Sequence, residues 1–504
     1  MQQEQGPFAN SAITSAYDEL GRLASRTVQG AGAETFQYDA IGRLTGHTSD
    51  LGAFTLGYLG QTGQITSRQL ASSTLATTWS YLGNTDDRRL SGIDNVGLTA
   101  GHFSTFAYTT SPENFIGSIT ETSDATAVYP PAGSQTATYN TLNQLTDLSG
   151  QTLTYDAVGN LTSDGQRNYS WDAENRLVLI TYPGQPGKQT AFTYDGLGRR
   201  RTIASTPPGG GSATTTAYLW CGDDICQARD GSNTPIRSYY DEGEYVPGTP
   251  AQTLYYGIDQ IGSVRRVFAS TTSAPAYGYD PYGLPLQVSA PITDFVYGGM
   301  FYNADSGLYL TNYRAYDSIA GRWLSRDPLG EEIDPVANLY AYVGGNTPNQ
   351  IDPLGLVGAP GPQGPSTGSD GCREAKYGPR ARNPCILAGL EGLPCGGPLA
   401  AGGGGGGGGA RGGGRGDASR TPAPALKGDP YNPAEVDKRR SRLREELRTP
   451  SKDPDSPIPD QGPGYNVGGQ PAKPGTPHST GERNVNPNEE HSRRPKGNPS
   501  GPRY

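Results

Sequence analysis

Tyr17-Asp18-Glu19-Leu20-Gly21-Arg22-Leu23 returns 21 residues later as Tyr38-Asp39-Ala40-Ile41-Gly42-Arg43-Leu44. The reading of those seven positions decides the fold. Further copies begin at Tyr155, Trp171 and Tyr194, and a weaker one at Tyr139, with spacings of 16, 16 and 23 residues. Asp followed three residues later by Gly suits a tight turn: the carboxylate can accept the turn's own amides, and Gly tolerates positive φ. Asn143 and Asn175 occupy that Gly position in two copies, and Asn is the next best residue for a left-handed backbone. The flanks alternate, as in Thr35-Phe36-Gln37-Tyr38, so each copy predicts strand, turn and strand. A lone hairpin is marginal, whereas stacked hairpins cover one another's edges. The repeat aromatic is expected to pack on the next hairpin. The repeated Asp and Arg are read as turn chemistry, and carbohydrate binding by exposed tyrosines is the weaker alternative.

Composition agrees with short strands and many turns. The 504 residues include 73 Gly and 42 Pro, and 31 Tyr against 10 Phe and 4 Trp. Such a chain disfavours a helical or α/β enzyme. A net charge of −9 gives no nucleic-acid footprint for the whole chain. There is no apolar run of about 18 residues to span a membrane. The N-terminus Met1-Gln2-Gln3-Glu4-Gln5 lacks the basic flank and apolar core of a Sec signal. The expected locations are therefore the cytoplasm before export, followed by secretion or delivery into target cells by another route, with the cell surface as alternative. Cys221 and Cys226 have no second pair or nearby His, so no zinc site, and no cofactor, is expected.

A denser block follows the repeats. It begins at Tyr256-Gly257-Ile258-Asp259-Gln260-Ile261-Gly262-Ser263 and passes through Tyr279-Asp280-Pro281-Tyr282-Gly283. It continues with Gly307-Leu308-Tyr309-Leu310-Thr311-Asn312-Tyr313-Arg314-Ala315-Tyr316 and Gly321-Arg322-Trp323-Leu324-Ser325-Arg326-Asp327-Pro328. It then reads Asn338-Leu339-Tyr340-Ala341-Tyr342-Val343 and closes on Asp352-Pro353-Leu354-Gly355-Leu356. With its repeats, this chain resembles the YD/RHS-repeat proteins of bacteria, with an Rhs-associated core, over about residues 10–356. The resemblance implies a mainly β fold, with stacked hairpins forming a spiral shell or part of one. It also implies a variable C-terminal toxin and a cut just after the DPxGL sequence. The repeat region is short for a closed shell, so part of a wall is expected. Gly345-Asn346-Thr347-Pro348 departs from the family's usual two Asn before Pro. The implied layout is repeats at 1–250, core at 251–356, linker at 357–426 and a toxin-like region at 427–504.

Cleavage by aspartates needs one carboxyl that keeps its proton and one carboxylate that activates water, a split that close pairing produces. Asp327, Asp334 and Asp352 are each followed by Pro, which fixes the preceding backbone as extended. By resemblance, Arg326 and Asp327 are the first candidates; the second carboxylate is Asp334 or Asp352, and the bond is Leu356–Val357. Read from the residues alone, the same Asp-Pro units serve equally as structural turns.

After Leu356 the repeats stop. Residues 402–416 hold 12 Gly and read as a flexible linker. A short helix is expected at 433–448, capped by Asn432 and stopped by Pro450. From Lys427 onward there is no Phe or Trp, and 14 Lys and Arg face 11 Asp and Glu, so partial disorder is expected. His478, Glu489, His491, Arg493, Arg494 and Lys496 are the candidate toxin site. His and Glu suit acid–base work on an RNA 2′-hydroxyl, and the cations suit phosphate. The bland alternative is an exposed basic tail. The expected function is a polymorphic toxin used in interbacterial competition. Its expected partners are a cognate immunity protein, a secretion apparatus such as a type VI spike or adaptor, and RNA. The alternatives are a non-enzymatic surface or carbohydrate-binding repeat protein, or an inactive fragment.

Overall fold

The computed structural model describes residues 2–360, except 7, 100, 126–132, 270–275, 287–290, 331–337 and 357, and of residues 359 and 360 it gives the backbone only. The expected linker, the helix at 433–448 and the candidate toxin residues lie outside the described residues, as do Asp334 and Val357.

The regular structure of the described chain is almost entirely antiparallel sheet. Eleven strands, from Gln2–Gln5 to Ile116–Ser123, pair in strict sequence order. Three short strands follow over Ala137–Thr152. A second large meander of twelve strands then runs from Thr154–Tyr155 to Val264–Ala269. The core block adds a four-stranded sheet, from Phe301–Asn303 to Arg322–Trp323.

The repeat turn shows why this sequence makes hairpins. Asp18 Oδ1 accepts the amides of Leu20 and Arg22, both at 2.9 Å, and the Gly21 amide donates to the Asp18 carbonyl at 3.0 Å. Gly21 has φ +76°, which a Cβ would oppose. Asn143 and Asn175 take φ +60° and +59° at the same position, as expected. Pairing register shifts at the repeat aromatic, between Ala16 and Tyr17 and again between Gln37 and Tyr38. This is a turn with a one-residue bulge, a standard short hairpin connection.

The repeat aromatic ties hairpins together, but it reaches back rather than forward. Tyr38 donates its hydroxyl to the Leu23 carbonyl at 2.9 Å, under Arg22 at 4.6 Å from its ring. Tyr58 repeats this on Leu44 and Arg43, and Tyr194 on Leu177 and Arg176. The arginine in turn closes its own turn, with Arg22 Nε 2.7 Å from Asp18 Oδ2. These repeats therefore lock themselves with Asp–Arg and are locked to their neighbours by the next aromatic.

One apolar cluster runs through both meanders and the core block, from Leu44 and Phe106 to Tyr218, Tyr256 and Trp323. Polar links also join the two meanders. Tyr255 donates to the Leu51 carbonyl at 2.8 Å, and the buried Asn95 side chain bridges both backbone groups of Ile258. The core block docks by aromatics: Phe301 meets Tyr218 edge-on at 5.5 Å, and Tyr316 packs on Tyr342 at 4.5 Å. Cys221 and Cys226 are joined in a disulfide that the sequence reading did not foresee.

Candidate active site

The core block reuses the repeat turn at Asp259, Asp280, Asp327 and Asp352, and the last two converge. In Asp327-Pro328-Leu329-Gly330, Asp327 Oδ1 accepts the Leu329 amide at 2.9 Å, and Gly330 donates to the Asp327 carbonyl at 3.0 Å. In Asp352-Pro353-Leu354-Gly355-Leu356, Asp352 Oδ1 accepts the Leu356 amide at 2.8 Å, and Gly355 donates to the Asp352 carbonyl at 3.2 Å. Proline is compatible with both because its position donates no bond in this turn.

The difference lies in the cation. In the repeat turns that begin at Asp18, Asp39, Asp172 and Asp195, the fifth residue is the turn's own arginine, whereas Asp156 and Asn140 pair with Asn160 and Gln144. The fifth residue of the Asp352 turn is Leu356, and Asp327 and Asp352 turn to one shared group. Arg314 Nη2 lies 2.9 Å from Asp327 Oδ2 and 3.0 Å from Asp352 Oδ2. The same guanidinium donates through Nε to the Gly355 carbonyl at 2.5 Å and through Nη1 to the Leu339 carbonyl at 3.3 Å. It also lies flat over Trp323, 4.3 Å from the ring. Arg314 enters from the connection between the strands Leu308–Leu310 and Ala315–Asp317. Its backbone is pinned there by the Thr311 hydroxyl, which accepts from the Arg314 amide and donates to its carbonyl.

The electrostatic consequence follows from that sharing. Hydrogen bonds from Arg22 and Leu20 hold the carboxyl of Asp18 below its ordinary value, against some desolvation. Asp39 and Asp172 end up low for the same reason. In the core, burial wins. Burial pushes Asp327 up against the pull of Arg314, and pushes Asp352 up as well, there aided by the charge of Asp327. Asp352 is only 2% exposed. Neighbouring carboxyls with raised affinity for a proton titrate as a pair, the electrostatic arrangement that acid–base work uses. Raised carboxyls also occur at Asp259 and Asp280, so the shift alone does not mark the site. The shared cation, set against the backbone of Gly355 and Leu356, does.

The backbone is brought unusually close here. Gly355 has φ +76°, and a Cβ on it would collide with the Thr311 hydroxyl and lie 3.1 Å from the Arg314 amide nitrogen. The chain then returns, so that Gln350 pairs with Pro360 and Ile351 with Ala359. Leu356 thus lies in the connection of a hairpin whose first strand is followed directly by Asp352.

Of the residues expected from the sequence, the structure brings Asp327, Asp352 and Leu356 together. Arg326 is exposed and sits elsewhere, its side chain lying along Gly159 of a repeat turn. The guanidinium between the carboxylates is that of Arg314. Its signal was available: an arginine between the short strands Leu308–Leu310 and Ala315–Asp317, amid apolar and aromatic residues, needs acceptors when buried.

Comparisons with known proteins agree with this architecture. A family profile described as the teneurin YD-shell matches residues 131–346, and one described as the RHS repeat matches residues 14–53. The chain is 32% identical over 233 residues to the tRNA3(Ser)-specific nuclease WapA of Bacillus spizizenii, covering 44% of this chain and 10% of that protein. It is 27% identical over 216 residues to the probable deoxyribonuclease RhsB of Dickeya dadantii, covering 38% and 14%. The chain therefore spans about a tenth to a seventh of the length of these relatives. Among solved structures, it superposes on the Photorhabdus luminescens Tc holotoxin pore with a TM-score of 0.52 at 20% identity, covering 69% of this chain and 21% of that one. The TcdB2–TccC3–Cdc42 crystal structure gives the same score at 21% identity, covering 69% and 22%. With repeat turns, sequential meanders and these matches in agreement, the chain belongs to the Rhs/YD-repeat family.

Proposed function

We propose that residues up to Leu356 form a carrier that cuts its own chain at Leu356–Val357 and frees the following segment as an effector. The observation that carries this reading is the pair Asp327 and Asp352 on one buried guanidinium, with Asp352 also holding the amide of Leu356. In the reaction, water adds to the Leu356 carbonyl carbon while the ionised carboxyl takes a proton from it. The protonated carboxyl gives its proton to the leaving nitrogen. The C–N bond breaks, Leu356 becomes a carboxylate and Val357 an amine. Arg314 draws the two carboxyls to one point and, through Nε on the Gly355 carbonyl, fixes the backbone that presents the bond. Asp334 is the other candidate for the second carboxyl. Arg326, exposed on the repeat side, has a supporting role at most in this reading.

The effector reading rests on the relatives. The Bacillus spizizenii and Dickeya dadantii relatives, at 32% and 27% identity, carry nuclease names, and another, 27% identical, is the toxin protein Tse5 of Pseudomonas aeruginosa. The proposed effector is a metal-independent ribonuclease using His478, Glu489 and His491 on RNA held by Arg493, Arg494 and Lys496. It would act in competing bacteria after delivery by a secretion apparatus, with a cognate immunity protein protecting the producer.

Sequencing of the released fragment's N-terminus tests the cut. A start at Val357, lost in Asp352→Asn, is expected; a start elsewhere, or release that persists in that variant, contradicts the assignment.

A further inference from the structure

Several buried arginines in this fold have an acid or a full set of acceptors. Arg314 has two carboxylates, Arg167 has Asp164 and Asp317, and Arg26 has Glu34. Arg229, without an acid, has an acceptor on each of its three nitrogens. Arg200 departs from this pattern. It opens the strand Arg200–Thr206, directly after the Arg199 that closes a repeat turn on Asp195 at 2.8 Å. It is 4% exposed, yet its Nε has no partner among the described residues. Its best protein acceptor is the Thr311 carbonyl, at a long 3.4 Å, and its guanidinium lies 5.0 Å from the Phe301 ring. Burial depresses its proton affinity, and only the tyrosines Tyr194, Tyr218 and Tyr239 offset this. Leaving a charge so poorly compensated in the interior is costly.

Arg200 borders a cavity of about 20 Å³ lined also by Arg176, Arg314, Thr311, Asn312 and Tyr194, and no Asp or Glu lines it. A second cavity on its other side, about 30 Å³, is lined by Asp224 and Pro353 among others. Three arginines thus line the first. Two of these are satisfied elsewhere, Arg176 by Asp172 and Arg314 by its aspartates. A volume of about 10–15 Å³ admits one water-sized body, so this cavity takes a single small one.

We infer that the cavity bounded by Arg176, Arg200 and Arg314 is a binding site for one small monovalent anion, of the size and charge of chloride, held by Arg200. The anion supplies the countercharge that the repeat wall omits, exactly where that wall meets the core block. A doubly charged oxyanion is too large for the space. The site stands independently of the cleavage chemistry, although Arg314 borders both.

The test is the thermal midpoint of the purified full chain in sodium chloride and in sodium gluconate at equal ionic strength. A ligand that binds only the folded chain raises the midpoint. The expected result is a midpoint several degrees higher in chloride, with the difference abolished in Arg200→Met, which keeps the bulk and removes the charge. Equal midpoints for the wild-type chain in the two salts would mean that water alone fills the cavity and would overturn the inference, as would an undiminished chloride effect in Arg200→Met. Should that variant fail to fold, chloride-35 line broadening on the wild-type chain decides: broadening that bromide competes away supports the site, and its absence sinks it.

Discussion

Gly21 and Gly355 have the same φ, +76°, in the same kind of turn, and their replacement by alanine separates backbone strain from close approach. At Gly21 a Cβ meets nothing within 4 Å, so Gly21→Ala bears only the cost of a left-handed backbone, about 1–2 kcal/mol. At Gly355 the Cβ drives into the Thr311 hydroxyl and lies 3.1 Å from backbone and Cβ atoms of Arg314. Backbone cannot swing aside as a side chain can, so overpacking adds about 1–3 kcal/mol. Gly355→Ala should therefore lose roughly 2–5 kcal/mol. It should also push Leu356 away from Asp352 and Arg314, and a displacement of about 1 Å at a reacting bond can slow the step on the order of a hundredfold. Denaturant midpoints give the first quantity, and the rate of fragment appearance on gels gives the second. Gly21→Ala should cut at the wild-type rate. The reasoning fails if Gly355→Ala cuts normally, or if both variants lose the same stability.

Three other perturbations have defined outcomes. Arg314→Met removes the only ion-pair partner found for Asp327 and Asp352 among the described residues; denaturant titration should show a loss of about 3–5 kcal/mol and gels should show no cut. Arg43→Ala removes one repeat lock, namely the bond to Asp39 at 2.7 Å, two carbonyl contacts and the Tyr58 ring. A loss of about 1–2 kcal/mol with unchanged cleavage is expected from the same two assays. His47, with Glu242 at 3.0 Å and Glu34 at 3.4 Å, is pushed up to about 10 by these carboxylates against its burial. A raised value means that its stabilisation is complete below about pH 6.5 and is lost as pH climbs through 10. Stability measured across that range should fall by on the order of a few kcal/mol, and the slope should flatten in His47→Gln.

The hairpins were legible because the repeat carries its own turn chemistry. Asp18, Gly21 and Arg22 lie within five residues, and their contacts are local, so spacing alone reveals them. The Asn substitutions at 143 and 175 could be read in advance for the same reason. The site was legible only in half. Asp327 and Asp352 announce themselves as Asp-Pro turns, but their convergence on Arg314 depends on how three distant segments dock. Spacing within any one segment holds no trace of that. Arg326 drew attention by adjacency to Asp327, yet neighbouring residues along an extended segment point to opposite sides, and its side chain lies against Gly159. The backward reach of Tyr38 to Leu23 was missed on similar grounds: the sequence shows that repeats pair, not which edge each aromatic covers.

Intact mass of the purified full-length chain, beside Asp327→Asn, tests the central claim most directly. The account predicts two species for the wild type, broken between Leu356 and Val357, and one whole chain for the variant, in which one of the two carboxyls is gone. A single whole chain in both samples, or an equal cut in both, would contradict it.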